Sequence, residues 1–119
     1  MLITVLKSKI HRAPVTGADV SYEGSLTLDP DFMERAGLIV GEKILAGNLR
    51  NGERFETYVI EGRRGSGDVI LNGATAHLGK TGDLLTIMAF AEIDARQAKN
   101  FRARKIVIQP PKKSGPLKR

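Results

Sequence analysis

The sequence lacks the residues and spacings that mark several common kinds of functional site. It contains no cysteine, which excludes a disulfide framework, a thiolate zinc site and a cysteine nucleophile. Its two histidines, His11 and His77, lie far apart and match no metal-ligand spacing, so we expect no metal. No serine stands in a GxSxG turn, and the glycines of EGRRGSGD form neither a Walker nor a dinucleotide-binding motif.

Long apolar segments are missing as well. No run approaches the roughly 18 apolar residues that a membrane-spanning helix needs, and the N-terminus lacks the basic leader and longer apolar stretch of a signal peptide. These absences predict a cytoplasmic protein without a membrane partner. A chain of 119 residues has room for one core, so we expect a single domain over residues 1–109.

Positive charge is concentrated at the C-terminal end of the chain. Residues 96–119 contain nine lysines and arginines and no acid, whereas residues 1–95 contain ten basic and thirteen acidic side chains. The net charge of +6 is therefore a property of the tail. Such a tail suits a solvated end or an arm that binds nucleic acid. We favour a solvated, disordered tail over residues 110–119 and no nucleic-acid partner, because no recognition motif accompanies the charge.

Short strands separated by Gly and Asn turns account for most of the chain. Asn51-Gly52 predicts a hairpin between strands at Lys43–Leu49 and Arg54–Ile60. The apolar run Leu84–Ile93 is nearly continuous, so we expect a strand buried on both faces. Further short strands are predicted at Val69–Leu71 and Arg104–Gln109. So many short strands need their edges closed, which favours a small barrel.

The first predicted strand, residues 2–12, alternates apolar and cationic side chains. Lys7, Lys9 and His11 are spaced two residues apart, so an extended strand places all three on one face. Pro14 is expected to end the pairing of this strand.

One short helix is predicted directly after Asp29. Asp29 can cap its N-terminus, Pro30 suits the first helical position, and Gly37 is placed to end it. Leu28 and Met33 occupy the positions of a hydrophobic staple. Residues 94–100 are predicted to add one or two helical turns.

Three clusters carry more chemistry than a plain barrel requires. Lys9-Ile10-His11 is cationic, and Tyr22-Glu23-Gly24-Ser25 places a flexible glycine carbonyl before a hydroxyl nucleophile. The third cluster combines Arg54 and Thr57-Tyr58 with Asn72-Gly73-Ala74, which follows later in the chain. Each cluster alone has an ordinary explanation as a turn, a surface cation or strand residues. Composition and spacing alone therefore predict only a small β-barrel of unknown function.

Taken together and in this order, the clusters resemble the pyruvoyl-dependent aspartate decarboxylase family. The matching segments are KIHR at 9–12, DVSYEGS at 19–25, NGERFETY at 51–58, RGS at 64–66, NGATAH at 72–77 and GD at 82–83. The resemblance implies a mainly β, double-psi β-barrel with one or two short helices, assembled as a homotetramer. It also implies conversion of L-aspartate to β-alanine and CO₂ for pantothenate and coenzyme A biosynthesis.

The resemblance further implies roles for individual residues. The chain would cut itself between Gly24 and Ser25 into residues 1–24 and 25–119, with the Thr57 hydroxyl stabilising the oxyanion. Ser25 would become a covalent pyruvoyl group that binds the aspartate amine as a Schiff base, and Tyr58 would be the proton donor. Tyr22 would steady the cleavage loop. The implied substrate-binding residues are Lys9, His11, Arg54, Thr57, Asn72, Gly73, Ala74 and Thr75.

Three points refine this interpretation. Thr57 and Tyr58 point to opposite faces of a regular strand, so we expect an active site at a subunit interface. Gly47 stands where well-known members of the family carry Trp, and Thr75 replaces a common Ala. Self-cleavage either is spontaneous or needs a maturation factor, and the sequence leaves both open.

Two other functions remain as alternatives to the enzyme. The first is an unprocessed barrel that acts as a binding or assembly subunit without decarboxylase activity, which an intact mass of 13.0 kDa would indicate. The second is a nucleic-acid-binding barrel, which predicts salt-dependent binding that is lost on truncation after residue 95.

Overall fold

A computed structural model describes residues 1–108 as a mainly β chain with few helices, which confirms this part of the predicted fold class. The strands are β1 (Leu2–Pro14), β2 (Gly17–Asp19), β3 (Ser25–Leu28), β4 (Lys43–Asn48), β5 (Arg54–Glu61), β6 (Val69–Asn72), β7 (Leu84–Asp94) and β8 (Arg104–Val107). Helix α1 spans Pro30–Ala36, and short 3₁₀ helices span Gly73–His77 and Ala95–Asn100. Gln109, predicted to end the last strand, and the predicted tail 110–119 lie outside the described residues.

The eight strands follow the order β2-β6-β3-β5-β4-β7-β1-β8. Pairing is antiparallel for β1–β7, β4–β7, β4–β5 and β3–β6, and parallel for β1–β8, β3–β5 and β2–β6. The segment between β1 and β2 contacts two strands that are far apart in this order. Val15 N donates to Asp83 O, directly before β7, and Thr16 N donates to Val69 O on β6, each at 2.8 Å. The strands thus share one core, to which Ile10, Leu26 and Ile87 contribute.

The predicted hairpin is confirmed. β4 pairs with β5 from Lys43↔Tyr58 to Gly47↔Arg54, and Gly52 in the turn has a φ of 77°. A glycine adopts this left-handed conformation at little steric cost, which is why Asn-Gly marks such turns.

The predicted helix is also confirmed, together with its caps. Asp29 Oδ1 accepts from Asp31 N at 2.8 Å, and Gly37 ends the helix with a φ of 76°. Asp29 also accepts from Gly65 N and Gly67 N, at 3.1 and 2.8 Å. Burial alone would raise the pKa of Asp29, but these N–H donors outweigh it and hold the pKa below its ordinary value. One carboxylate therefore both starts α1 and anchors the loop before β6.

The expectation that β7 is buried on both faces is wrong. Leu85, Ile87 and Ala89 are buried, whereas Thr86 and Met88 are partly exposed and Phe90 is 44% exposed. β7 lies between β1 and β4 with one face toward the core, so alternate side chains point outward. No described element of the chain covers Phe90 fully. The prediction failed because residues 84–93 are apolar on both faces, so their composition does not show which face is buried.

The burial of β1 agrees with the single face predicted for Lys7, Lys9 and His11, because all three are partly exposed and alternate with the buried Ser8 and Ile10. Lys9 pairs with Met88, and His11 Nδ1 lies 3.2 Å from Thr86 Oγ1, so both belong to the outer face. At Lys7 the β1–β7 register shifts, and its Nζ instead donates to Gly37 O at 2.8 Å. A β-bulge adds one residue to a strand, and here it interrupts the pairing with β7 between Leu6 and Ser8.

Candidate active site

The junction between Gly24 and Ser25 lies at the start of β3. Ser25 is only 1% exposed. Its Oγ accepts from Asn72 Nδ2 at 3.0 Å and donates to Glu23 O at 3.3 Å. Asn72 is the direct partner of Ser25 on β6, and its Nδ2 also donates to Thr27 Oγ1 at 2.8 Å. The fold therefore buries a hydroxyl and orients it next to a glycine peptide.

Gly73 packs directly against this junction. Its φ is 66°, and a β-carbon added to it would lie 2.7 Å from Gly24 Cα and 2.8 Å from Gly24 N. Real β-carbons do not come this close to backbone atoms, so only glycine fits at position 73. The 3₁₀ helix that begins at Gly73 thereby forms one wall of the junction.

Thr75 fastens that short helix to Asn72. The buried Thr75 Oγ1 donates to Asn72 O at 2.8 Å, and Leu78 N donates to Thr75 O at 2.9 Å. Ala74, between Gly73 and Thr75, is exposed. The threonine at position 75 is thus part of the frame around Asn72.

On β5, Thr57 and Tyr58 occupy opposite faces, as their adjacent positions predict. Thr57 is the partner of the buried Ile44, whereas Tyr58 pairs with Lys43 and is 40% exposed. The parallel pairing of β3 with β5 begins at Leu26↔Val59. Ser25 and Tyr58 are therefore the residues immediately before the first pair on two adjacent strands.

A second group of predicted site residues lines an outer cavity of about 450 Å³. Its lining residues are Lys9, Gly47, Asn48, Leu49, Gly52, Arg54, Thr86 and Met88. This lining contains two cations and no carboxylate, and His11 is close because it contacts Thr86. A β-carbon at Gly47 would meet no atom within 4 Å. The cavity suits an anionic ligand and is open where a larger side chain would stand.

The structure brings the predicted residues together as two groups rather than one. Arg54 and Tyr58 are four residues apart on β5, which corresponds to about 13 Å along a strand. The outer cavity, called the cationic cavity below, is lined by neither Ser25 nor Asn72. One chain therefore carries a hydroxyl junction and a cationic cavity at separate places.

Sequence reasoning missed a buried polar group beside the cavity. Asp83, 4% exposed, accepts from Arg50 Nε at 2.6 Å, Asn48 Nδ2 at 2.9 Å and Lys80 N at 3.0 Å. The bond from Arg50 is the main reason that the pKa of Asp83 lies far below its ordinary value. Gly82-Asp83 belonged to the family pattern, but nothing in the sequence links Asp83 to Asn48.

Within residues 1–108 no three His, Asp or Glu side chains lie close enough together to hold a metal ion. In the same part of the chain, no helix is long and apolar enough to cross a membrane.

The chain is mainly β, with a buried serine directly after a glycine and a separate cavity whose two cations suit an anionic ligand. The sequence model of one family, described as aspartate decarboxylase, matches residues 1–114. The chain belongs to the aspartate decarboxylase family, which confirms the resemblance seen in its motifs.

Curated relatives agree with this assignment. The aspartate 1-decarboxylase of Persephonella marina is 56% identical over 99 residues, which are 83% of this chain and 71% of that protein. The aspartate 1-decarboxylase of Chloroherpeton thalassium is 46% identical over 118 residues, or 99% of this chain and 85% of that protein. That of Parabacteroides distasonis is 51% identical over 102 residues, or 86% and 88% of the two chains.

Two designed proteins are among the similar solved structures. The computationally designed msDPBB_sym2 protein has a TM-score of 0.48 at 18% identity and covers 73% of this chain and 99% of its own. The rationally designed mkDPBB_sym_86 protein has a TM-score of 0.47 at 13% identity and covers 71% and 95%.

Proposed function

We propose that this protein is a self-processing, pyruvoyl-dependent decarboxylase that converts L-aspartate to β-alanine and CO₂ for pantothenate and coenzyme A biosynthesis. The observation that carries the proposal is the Ser25 hydroxyl, which is buried after Gly24 and bonded to Asn72. Membership of the aspartate decarboxylase family supports the same reaction. The protein acts in the cytoplasm.

The first step is an acyl shift at the Gly24–Ser25 junction. Ser25 Oγ attacks the Gly24 carbonyl carbon, the Gly24 C–N bond breaks, and the freed amine takes the hydroxyl proton, which gives an ester. Oγ now donates to Glu23 O, one residue before the carbonyl that it attacks, so a small rotation is needed. Glycine at position 24 permits that close approach. Thr57 donates to the oxyanion that forms on the Gly24 carbonyl oxygen.

The second step is β-elimination of the ester. Ser25 loses its α-proton and its Cβ–Oγ bond breaks, so residues 1–24 leave with a C-terminal carboxylate and residue 25 becomes dehydroalanine. Water then hydrolyses this residue with loss of ammonia, and a pyruvoyl group remains at the start of residues 25–119. A β-carbon at Gly73 would clash with the Gly24 backbone, so only glycine at this position leaves the junction undistorted for formation of this planar group. Asn72 Nδ2, now bonded to Ser25 Oγ, is placed to donate to it.

Once formed, the pyruvoyl carbonyl supplies the electron sink that decarboxylation requires. Tyr58 lies on the strand next to Ser25 and is partly exposed, so it can deliver the proton that replaces the lost carboxylate. The side of the pyruvoyl pocket opposite Tyr58 is formed by the backbone amides of Gly73, Ala74 and Thr75 and by the Asn72 side chain. Tyr22 steadies the loop before the junction.

Lys9 and Arg54 bind the two carboxylates of aspartate, with His11 beside them. An arginine can hold a carboxylate through two parallel hydrogen bonds. Aspartate has a four-carbon skeleton, which is shorter than the roughly 13 Å that separates Arg54 from Tyr58 along β5. This separation supports an arrangement in which the cations that serve one Ser25 come from another copy of the chain, in a homotetramer with active sites at subunit interfaces.

The test begins with the mass of purified protein under denaturing conditions, followed by incubation with aspartate and an assay for β-alanine. We expect two fragments, a pyruvoyl N-terminus on the larger one, and β-alanine. S25A is the control and should remain at the full mass without activity. An intact wild-type chain of 13.0 kDa that makes no β-alanine, even in cell extract that could supply a maturation factor, would instead support the binding or assembly subunit.

A further inference from the structure

We propose that Asn48 is a positioning residue that holds in place both the cationic cavity and the Ser25 junction of its own chain, which belong to two neighbouring active sites of the assembled protein; this role rests on the proposed function. Asn48 ends β4, lines the cavity and is 2% exposed. It touches neither Ser25 nor a cationic side chain in the described hydrogen-bond network. Its effect on the reaction is therefore indirect.

Every polar group of Asn48 is engaged. Its Nδ2 donates to Leu78 O at 3.0 Å and to Asp83 Oδ2 at 2.9 Å, and its Oδ1 accepts from Arg50 N at 2.9 Å. Its backbone N donates to Glu53 O, and its backbone O accepts from Gly52 N, both at 2.8 Å. A buried amide with all its hydrogen bonds made has one favoured orientation, and any other would leave polar groups unpaired.

One side of this network shapes the cavity. The bonds to Arg50, Gly52 and Glu53 hold the hairpin turn that leads directly into Arg54. Asp83 stabilises the same turn, because its carboxylate accepts hydrogen bonds from both Asn48 Nδ2 and Arg50 Nε. Asn48 thus helps to fix the position of Arg54 at the start of β5.

The other side leads to the Ser25 junction through four hydrogen bonds. Asn48 binds Leu78 O, Leu78 N donates to Thr75 O at 2.9 Å, Thr75 Oγ1 donates to Asn72 O at 2.8 Å, and Asn72 Nδ2 donates to Ser25 Oγ at 3.0 Å. The cavity wall and the junction therefore belong to one hydrogen-bonded frame. A shift of about 1 Å in a substrate-binding group can cost on the order of 100-fold in rate.

The test compares N48A with N51A as a matched control. Asn51 donates to the same carbonyl, Leu78 O, at 3.1 Å, but it is exposed and does not line the cavity. For both variants we would measure the self-cleavage rate by mass, KM and kcat for aspartate in the cleaved protein, and amide hydrogen exchange over residues 72–78. N48A should slow cleavage and raise KM about 10-fold or more, with faster exchange over 72–78, whereas N51A should change each less than about threefold.

D83N provides a second variant in case N48A does not fold. It keeps the bond from Asn48 to Leu78 but replaces the carboxylate that holds Asn48 and Arg50, so KM should rise while cleavage stays at the wild-type rate. A folded N48A with wild-type KM, cleavage rate and exchange would overturn the proposal, as would an unchanged KM in D83N if N48A fails to fold. If wild-type protein neither cleaves nor decarboxylates, the proposed function fails, and the exchange over 72–78 alone then decides the role of Asn48.

Discussion

Gly73 and Gly24 approach each other so closely that a β-carbon on Gly73 would lie 2.7 Å from the Gly24 Cα. This contact joins the 3₁₀ helix 73–77 to the peptide that the proposed reaction cuts. The junction is consequently shaped by a residue that is 48 positions later in the chain than Ser25.

The contact predicts that G73A impairs self-cleavage. The added methyl group must displace the Gly24 backbone, so cleavage should slow by at least about 10-fold, since small misplacements of reacting groups are costly. G65A is the matched control, because Gly65 has a similar φ of 81° but no atom within 4 Å of its added β-carbon. Fragment formation is followed by mass over time. Equal slowing in both variants would show that backbone strain, rather than the contact, is responsible.

The position of Tyr58 beside Ser25 predicts that Y58F separates the two reactions. The variant should still cut itself, but decarboxylation should fall by about 10²–10⁴-fold if the phenol delivers the proton. Mass analysis measures the first reaction and β-alanine production the second. E56Q, which changes an exposed side chain two residues away on the same strand, should keep most activity. Full activity in Y58F would remove Tyr58 from this role.

The cationic cavity predicts that R54A weakens aspartate binding. Loss of a charge-assisted hydrogen bond of about 1.5–3 kcal/mol should raise KM roughly 10–100-fold. K43A is the control, because Lys43 lies on the neighbouring strand and pairs only with Glu56 among the described ion pairs, at 3.4 Å. Steady-state kinetics of the cleaved proteins give the comparison. A KM for R54A that matches the K43A value would contradict the assignment.

Gly47 predicts an effect on stability. It lies inside β4, its φ is not positive, and an added β-carbon would have open space. G47A should therefore raise the free energy of unfolding by about 0.5–1 kcal/mol, because alanine loses less backbone entropy on folding. Urea denaturation of the S25A background, which avoids a mixture of cut and uncut chains, measures the change. A clear loss of stability would mean that the space at Gly47 is filled in the assembled protein.

Asp83 predicts how stability depends on pH. Its pKa lies below the ordinary value of 3.8 in the folded chain, chiefly because of Arg50. A carboxyl whose folded pKa is depressed stabilises the fold above its unfolded pKa, and this contribution disappears as the pH falls toward the folded pKa. The gap in unfolding free energy between wild type and D83N should therefore be constant from about pH 6 to 8 and shrink below about pH 4. A gap that grew at pH 3 would have the wrong sign for this explanation.

The features that the sequence predicted well have local causes. Asp29, Pro30 and Gly37 act through capping and backbone geometry within a few residues, and Asn51-Gly52 does the same in its turn. The mainly β fold followed from such signals, and the family followed from the order of short motifs. The separate faces of Thr57 and Tyr58 follow from strand geometry alone.

The features that the sequence did not predict depend on residues distant in the chain. The bulge at Lys7 is a property of the β1–β7 register, and the exposed face of β7 depends on which elements pack on it. The bonds from Asn48 to Leu78 and Asp83 span 30 and 35 positions, and no local pattern encodes them.

By itself, the sequence determined the helix caps, the hairpin turn, the family and the chemical groups available at the site, because steric preferences and side-chain chemistry are local. Only the tertiary structure decided that Ser25 is buried against Asn72, that Lys9 and Arg54 share a separate cavity, and that Asn48 links the two. These relations arise when strands from different parts of the chain pair around one core, since pairing register determines which distant polar groups can satisfy one another.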